Sequence, residues 1–190
     1  MKAVIFVFSL LAGLAANAAN YQDTDSLTLA QLDSIISRMQ LKNSIGLRYG
    51  TPSEQQIVPI NTKELYYQHS FRPLPGTLMI PMLETSISQL NVGEKSGYVW
   101  GIGPAASVPI TGTGGRLFLV GHGKVHYLTR TNYDRKDYGG PVQWTYGFGL
   151  KSKISVNTFA SYMWQHMSNA DRYSVNPALE TYTMTLGVYF

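Results

Sequence analysis

Thr181-Tyr182-Thr183-Met184-Thr185-Leu186-Gly187-Val188-Tyr189-Phe190 is the stretch that decides the fold. In an extended chain successive side chains point to opposite sides, so Tyr182, Met184, Leu186, Val188 and Phe190 share one face while Thr181, Thr183, Thr185, Gly187 and Tyr189 share the other. A large apolar face backed by a small or polar one is what a barrel wall requires where its outside meets lipid. The same division recurs upstream, with Val142, Trp144, Tyr146, Phe148 and Leu150 opposed to Gln143, Thr145, Gly147 and Gly149.

Working outward from these segments, a period of two runs from residue 43 to the end, giving eight candidate strands near 43–50, 63–71, 77–88, 97–109, 116–128, 142–151, 156–168 and 178–190. Several have the roughly ten residues that a tilted strand needs to cross a bilayer. The predicted fold is all-β, an eight-stranded antiparallel transmembrane barrel over residues 43–190. An alternating last strand ending in phenylalanine also resembles the C-terminal signal of bacterial outer-membrane barrels. The links at 72–76, 111–115 and 151–155 are short, and those at 51–62, 89–96, 129–140 and 169–177 are longer. With both barrel ends in the periplasm, the short links become periplasmic turns and the long ones external loops. Pro81, Pro104 and Pro109 fall inside these strands, where each removes a ladder donor, so bulges or shifted strand ends are expected there. A soluble eight-stranded barrel of lipocalin type stays open, because the alternation alone does not say which face is inside.

The N-terminal end reads differently. Lys2 precedes a short apolar run at 4–14, and small residues with Ala16-Asn17-Ala18 follow. This is the pattern of a secretory signal peptide over 1–18, the apolar run being too short for a membrane anchor. Residues 19–42 form an N-terminal segment in which Leu29, Leu32, Ile36 and Met39 lie at helical spacing and 28–31 offers a capping box, so an amphipathic helix over 24–40 is expected. It reads equally well as a helix packed under a domain and as one lying on a membrane. Without Lys2 the basic count falls from 15 to 14 against 11 acidic residues, and the net charge from +4 to +3. That is too little to point to nucleic acid, although a mild basic excess favours anionic lipid. With no cysteine, disulfide staples, zinc-thiolate sites and thiol chemistry are excluded.

Candidate chemistry gathers on the last two strands. Tyr162, Trp164, His166 and Ser168 share one face of the seventh candidate strand. If it pairs with the last strand symmetrically about Tyr173, then Glu180 lies opposite His166, Tyr182 opposite Trp164, and Met184 opposite Tyr162. A serine hydroxyl beside an imidazole, with a carboxylate able to fix the imidazole tautomer, is the set for nucleophilic acyl transfer. Ser168 would be nucleophile, His166 general base and Glu180 the orienting carboxylate. Asn169 would offer an amide donor to the oxyanion or support the site. Tyr162, Trp164, Tyr182 and Met184 would lie along an acyl chain. Since H-x-S recurs by chance, spacing alone leaves a catalytic set and an ordinary barrel rim both open.

His166-Met167-Ser168-Asn169-Ala170, followed by Asn176, Glu180 and Tyr182, resembles the PagL lipid A 3-O-deacylases of Gram-negative outer membranes. The resemblance covers only the last two strands. It implies an eight-stranded barrel whose active site faces lipid on the outside of the wall, hydrolysing the ester-linked acyl chain at the 3 position of lipid A. It further implies Ser168 as nucleophile, His166 as base, Glu180 as third member, Asn169 in or near the oxyanion hole, and no metal or other cofactor. The family usually has glycine after the alanine, where this chain has Asp171. The implied partners are lipid A or lipopolysaccharide as substrate and the lipids of the outer membrane; a homodimer is left open.

Other polar residues read more plainly. His122, Lys124 and His126 share a face and are expected to form a polar row in the barrel lumen rather than a metal site. His69 reads as structural. Arg130, Arg135 and Lys136 lie in the long loop before the sixth candidate strand, as a solvated loop or as contacts to lipid A phosphates. The glycines of 112–115 make a turn. Two alternatives to the hydrolase remain: a non-enzymatic outer-membrane barrel serving adhesion or membrane integrity, and a PagP-type lipid A acyltransferase, the latter drawn only from a helix preceding eight strands.

Overall fold

The computed structural model describes residues 43–53, 59–74, 77–110, 112–113, 115–133, 136–174 and 178–190. The expected signal peptide and N-terminal helix lie outside the described residues, as does Arg135. The strands are β1 (Asn43–Pro52), β2 (Ile60–Ser70), β3 (Ile80–Val92), β4 (Lys95–Pro109), β5 (Leu117–Leu128), β6 (Asn132–Tyr133), β7 (Lys136–Asp137), β8 (Val142–Lys153), β9 (Thr158–Ser168) and β10 (Leu179–Tyr189). Eight of them close antiparallel in the order β1-β10-β9-β8-β5-β4-β3-β2, while β6 and β7 pair as a small ribbon in the loop before β8. Closure removes every free strand edge, which is the condition for spanning a bilayer with strands.

The barrel is apolar outside and polar within. Leu47, Trp100, Ile102, Met184 and Leu186 stand more than half exposed, while Arg48, Glu84 and Lys124 are at most 4% exposed. In water both halves of this arrangement would be unfavourable, one for its continuous apolar surface and the other for charge taken out of solvent. Against lipid the outer face is matched, which excludes the lipocalin-type arrangement.

The lumen is filled in three layers. At the end where β2 begins and β3 ends, Ile60, Leu90, Val92, Val99, Leu128, Met167 and Leu179 pack with Tyr133 and Tyr138 of the small ribbon. The ribbon therefore caps that mouth. At the opposite end Tyr66, Phe159 and Tyr189 form a second apolar plug, with Phe118, Val120 and Met163 beside it. Between them lies a charged network. Arg48 Nη1 donates to Glu64 at 2.8 Å and Glu84 at 3.1 Å, Lys124 Nζ donates to Glu64 and lies 2.8 Å from Glu84, and Gln68 donates to Glu84 at 2.7 Å. Two cations on two carboxylates leave no uncompensated charge among these four, the condition under which buried ions are tolerated. His122 and His126 do face the lumen, His122 beside Glu84 at 3.6 Å and His126 against the Thr145 hydroxyl at 2.9 Å. Their acidic neighbours come from β2 and β3, which spacing along β5 does not reveal.

One expectation is corrected, and of the two outcomes expected at the prolines, bulges or shifted strand ends, a shifted end is found at Pro81, with β3 starting at Ile80. Residues 89–96 are not a long loop: β3 and β4 run on to Val92 and Lys95 and are joined by Gly93-Glu94, with Gly93 at φ 59°. The polar residues that resemble a loop are strand positions, and Asn91 spends its amide on Asn61 of β2 at 2.8 Å. The prolines need no bulge either. Pro81 and Pro109 lie at the ends of β3 and β4, while at Pro104 the β4 to β5 ladder lapses between Ile102↔Val125 and Ala105↔His122 without changing register. Gly103 lets β5 come close there, since a Cβ at that position would collide with the Gly123 carbonyl and Lys124 Cα.

Candidate active site

β9 and β10 pair as the turn symmetry requires, with Glu180 opposite His166, Tyr182 opposite Trp164 and Met184 opposite Tyr162. Paired residues point to the same face, and Tyr162, Tyr182 and Met184 are exposed, so this face is the outer wall. Glu180 Oε1 lies 3.4 Å from His166 Nδ1. When Nδ1 carries the proton and donates to the carboxylate, Nε2 is left as the basic nitrogen. The imidazole is more sheltered than its partner, at 18% against 43% side-chain exposure.

Ser168 ends β9 on the same face as His166 and pairs with Trp144 of β8. Among the described residues no hydrogen bond joins its hydroxyl to the imidazole. Long or absent hydrogen bonds are common in ligand-free sites and close when substrate arrives. The chain then turns sharply: Ala170 and Asp171 both have positive φ, at 53° and 59°, and the Arg172 N–H donates to the Asn169 carbonyl at 3.1 Å. Asn169 is fully buried and its Nδ2 donates to the Tyr138 carbonyl at 3.3 Å. Its side chain thus ties the end of β9 to the cap.

The aromatic surroundings are continuous. Tyr146 of β8 pairs with His166 and sets its ring 5.0 Å from the imidazole, Trp164 lies 5.3 Å from Phe148, and Tyr162 stacks on Tyr182 at 5.7 Å. Of the four expected acyl contacts, Tyr162, Tyr182 and Met184 are exposed and Trp164 half-buried. Sequence reading passed over Tyr146, although the alternation of 142–150 already placed it on the outer face. It also missed Ser53, whose hydroxyl donates to Glu180 Oε2 at 3.5 Å; that contact depends on how β1 closes on β10, which nothing local reveals.

The loop cations are spread out. Lys136 donates to the Ala178 carbonyl at 3.4 Å and lies over the Tyr138 ring at 5.7 Å. Burial pushes its ammonium pKa down and the Tyr138 phenol up. Arg130 is exposed. His69 is bound by the Asn43 side chain at 2.9 Å and abuts Phe71, in line with a structural role. No group of metal-ligating side chains occurs among the described residues. A groove of about 510 Å³ on the far wall, between Leu65, Ile87, Trp100 and Ile102, contains no carboxylate or histidine.

A closed lipid-facing barrel with a histidine, a serine and a carboxylate on its outer wall narrows the families to which the chain can belong, and the model of one, PagL, lipid A 3-O-deacylase, matches residues 61–189. The chain belongs to the PagL family. Membership and fold place it in the bacterial outer membrane. Its fold is similar to the crystal structure of the outer membrane enzyme PagL, with TM-score 0.63 at 13% identity over 77% of this chain and 99% of that one. A de novo designed transmembrane β-barrel follows at TM-score 0.55 and 12% identity over 78% and 94%. The Yersinia pestis outer membrane protein Ail gives 0.50 and 12% over 78% and 98%. At such identities these likenesses speak for the fold alone. No curated protein matches the chain. The homodimer left open by the sequence draws no support from the PagL matches.

Proposed function

We propose that this PagL-family protein hydrolyses the ester-linked acyl chain at the 3 position of lipid A, with Ser168 as nucleophile, His166 as general base and Glu180 as the carboxylate that orients it. The observation that carries this reading is the placement of Glu180 against His166 Nδ1, on the outer wall, two residues before Ser168 along β9. Ser168 Oγ attacks the ester carbonyl while His166 Nε2 takes its proton. The imidazolium, stabilised by Glu180, then protonates the departing sugar oxygen, and water cleaves the acyl-enzyme by the same proton path in reverse. Asn169 supports the end of β9 through the cap, and the aromatic row from Phe148 to Tyr182 lies along the acyl chain. With the barrel ends periplasmic, the site lies near the external end of β9 and β10, at the depth of the outer leaflet where lipid A resides.

Mass spectrometry of lipid A from cells producing the protein tests the reading. Loss of one acyl chain is expected, abolished in Ser168→Ala and in His166→Ala, where a triad member's removal costs about 10³-fold or more. An unchanged acyl complement, or a Ser168→Ala variant as active as the parent, sinks it. A gain of an acyl chain would point instead to acyl transfer.

A further inference from the structure

We infer that Ser53 is a positioning residue for the triad carboxylate: its hydroxyl holds one oxygen of Glu180 so that the other faces His166. The inference rests on the hydrolytic reading above and adds a fourth strand to the site.

The register carries it. The β1 to β10 ladder ends with Pro52 opposite Thr181, and the Ser53 N–H donates to the Glu180 carbonyl at 2.9 Å, so pairing continues one residue past β1. Ser53 follows Thr51 by two positions as Glu180 precedes Tyr182, and Thr51 pairs with Tyr182 on the outer face. A single row therefore runs from Tyr146 on β8 through His166 on β9 and Glu180 on β10 to Ser53, the residue that follows β1. Pro52 presets the chain immediately before Ser53, because its ring fixes φ.

The chemistry needs such a partner. The Glu180 side chain is 43% exposed, and a glutamate on an open wall has three torsions to lose before it faces one imidazole nitrogen. Its two carboxylate oxygens divide between partners, Oε1 to His166 Nδ1 at 3.4 Å and Oε2 to Ser53 Oγ at 3.5 Å. Both are long, as in many ligand-free sites, and shorten when the imidazole becomes charged.

The test is steady-state hydrolysis of purified lipopolysaccharide dispersed in detergent by the folded full-length protein. For Ser53→Ala, kcat is expected to fall about threefold to tenfold, with KM unchanged. Ser53→Thr, which keeps the hydroxyl, should restore kcat. In a Glu180→Ala background, Ser53→Ala should cost nothing further, since there is no carboxylate left to hold. A Ser53→Ala variant with the parent's kcat overturns the inference. So does a loss that reappears in full in the Glu180→Ala background, the mark of a purely structural residue. If Glu180→Ala retains full kcat, the triad reading falls along with this one; if Glu180→Ala is impaired and Ser53→Ala is not, the Ser53 assignment alone falls.

Discussion

Asp171 departs from the glycine usual in the PagL family, and its backbone explains both residues. At φ 59° it lies in the left-handed region, directly after Ala170 at 53°. Glycine enters that region freely, aspartate at a modest cost, and β-branched residues only under strain. The sharp turn that ends β9 beside Ser168 therefore makes a conformational demand on this position. Asp171→Gly is expected to keep the turn, since glycine enters the left-handed region freely. Asp171→Val should lower stability by about 1–3 kcal/mol and reduce turnover through displacement of Ser168. Urea unfolding in detergent micelles and lipid A deacylation measure the two effects. At this scale the proposed set of His166, Ser168 and Glu180 could be assembled from the sequence because the three lie on adjacent strands joined by one link. Ser53 was not, since more than a hundred residues separate it from Glu180.

Between elements, the site depends on how closely β8 approaches β9. Gly149 faces Met163, and a Cβ there would strike the Tyr162 carbonyl and the Met163 Cα, both main-chain atoms of β9. Main chain cannot rotate out of the way as a side chain can, so Gly149→Ala must pry the strands apart. It is expected to cost about 1–3 kcal/mol and to lower activity by moving Tyr146 and Trp144 away from His166 and Ser168. Gly50→Ala is the control, because its new methyl meets chiefly the Thr62 hydroxyl and a Thr183 methyl, which can shift. Heat-modifiable gel mobility and deacylation distinguish the pair. Strand identity and alternation were readable because side-chain period alone decides them, and the β9 to β10 register followed from its turn. The β3 to β4 hairpin was misread because Gln89, Asn91, Glu94, Lys95 and Ser96 make a polar run, although in a barrel polar residues also belong on strand ends beyond the lipid.

For the whole molecule, the charged layer in the lumen is the main commitment. Arg48, Glu64, Glu84 and Lys124 come from four different strands, so no local pattern announces their partnership, and only closure of the barrel brings them together. Removing one member strands the others: Glu84→Ala leaves Arg48 and Lys124 with one carboxylate between them, and a destabilisation of about 3–5 kcal/mol is expected. Glu84→Gln, which preserves shape and some hydrogen bonding, should cost less. The urea midpoint of each variant in micelles checks the order, and deacylation by whatever fraction remains folded should be unaltered, because the network lies on the opposite side of the wall from His166.

The same filled lumen has a consequence for the cell. Tyr133 and Tyr138 seal one mouth, Tyr66, Phe159 and Tyr189 the other, and the chamber left near His126 and Gln165 measures about 40 Å³, room for a water molecule or so. Among the described residues these layers leave little room for a solute to pass. Copies of a barrel packed this way are expected to add no ion conductance to the envelope, and a product formed on the outer wall, as proposed, would leave sideways into the leaflet.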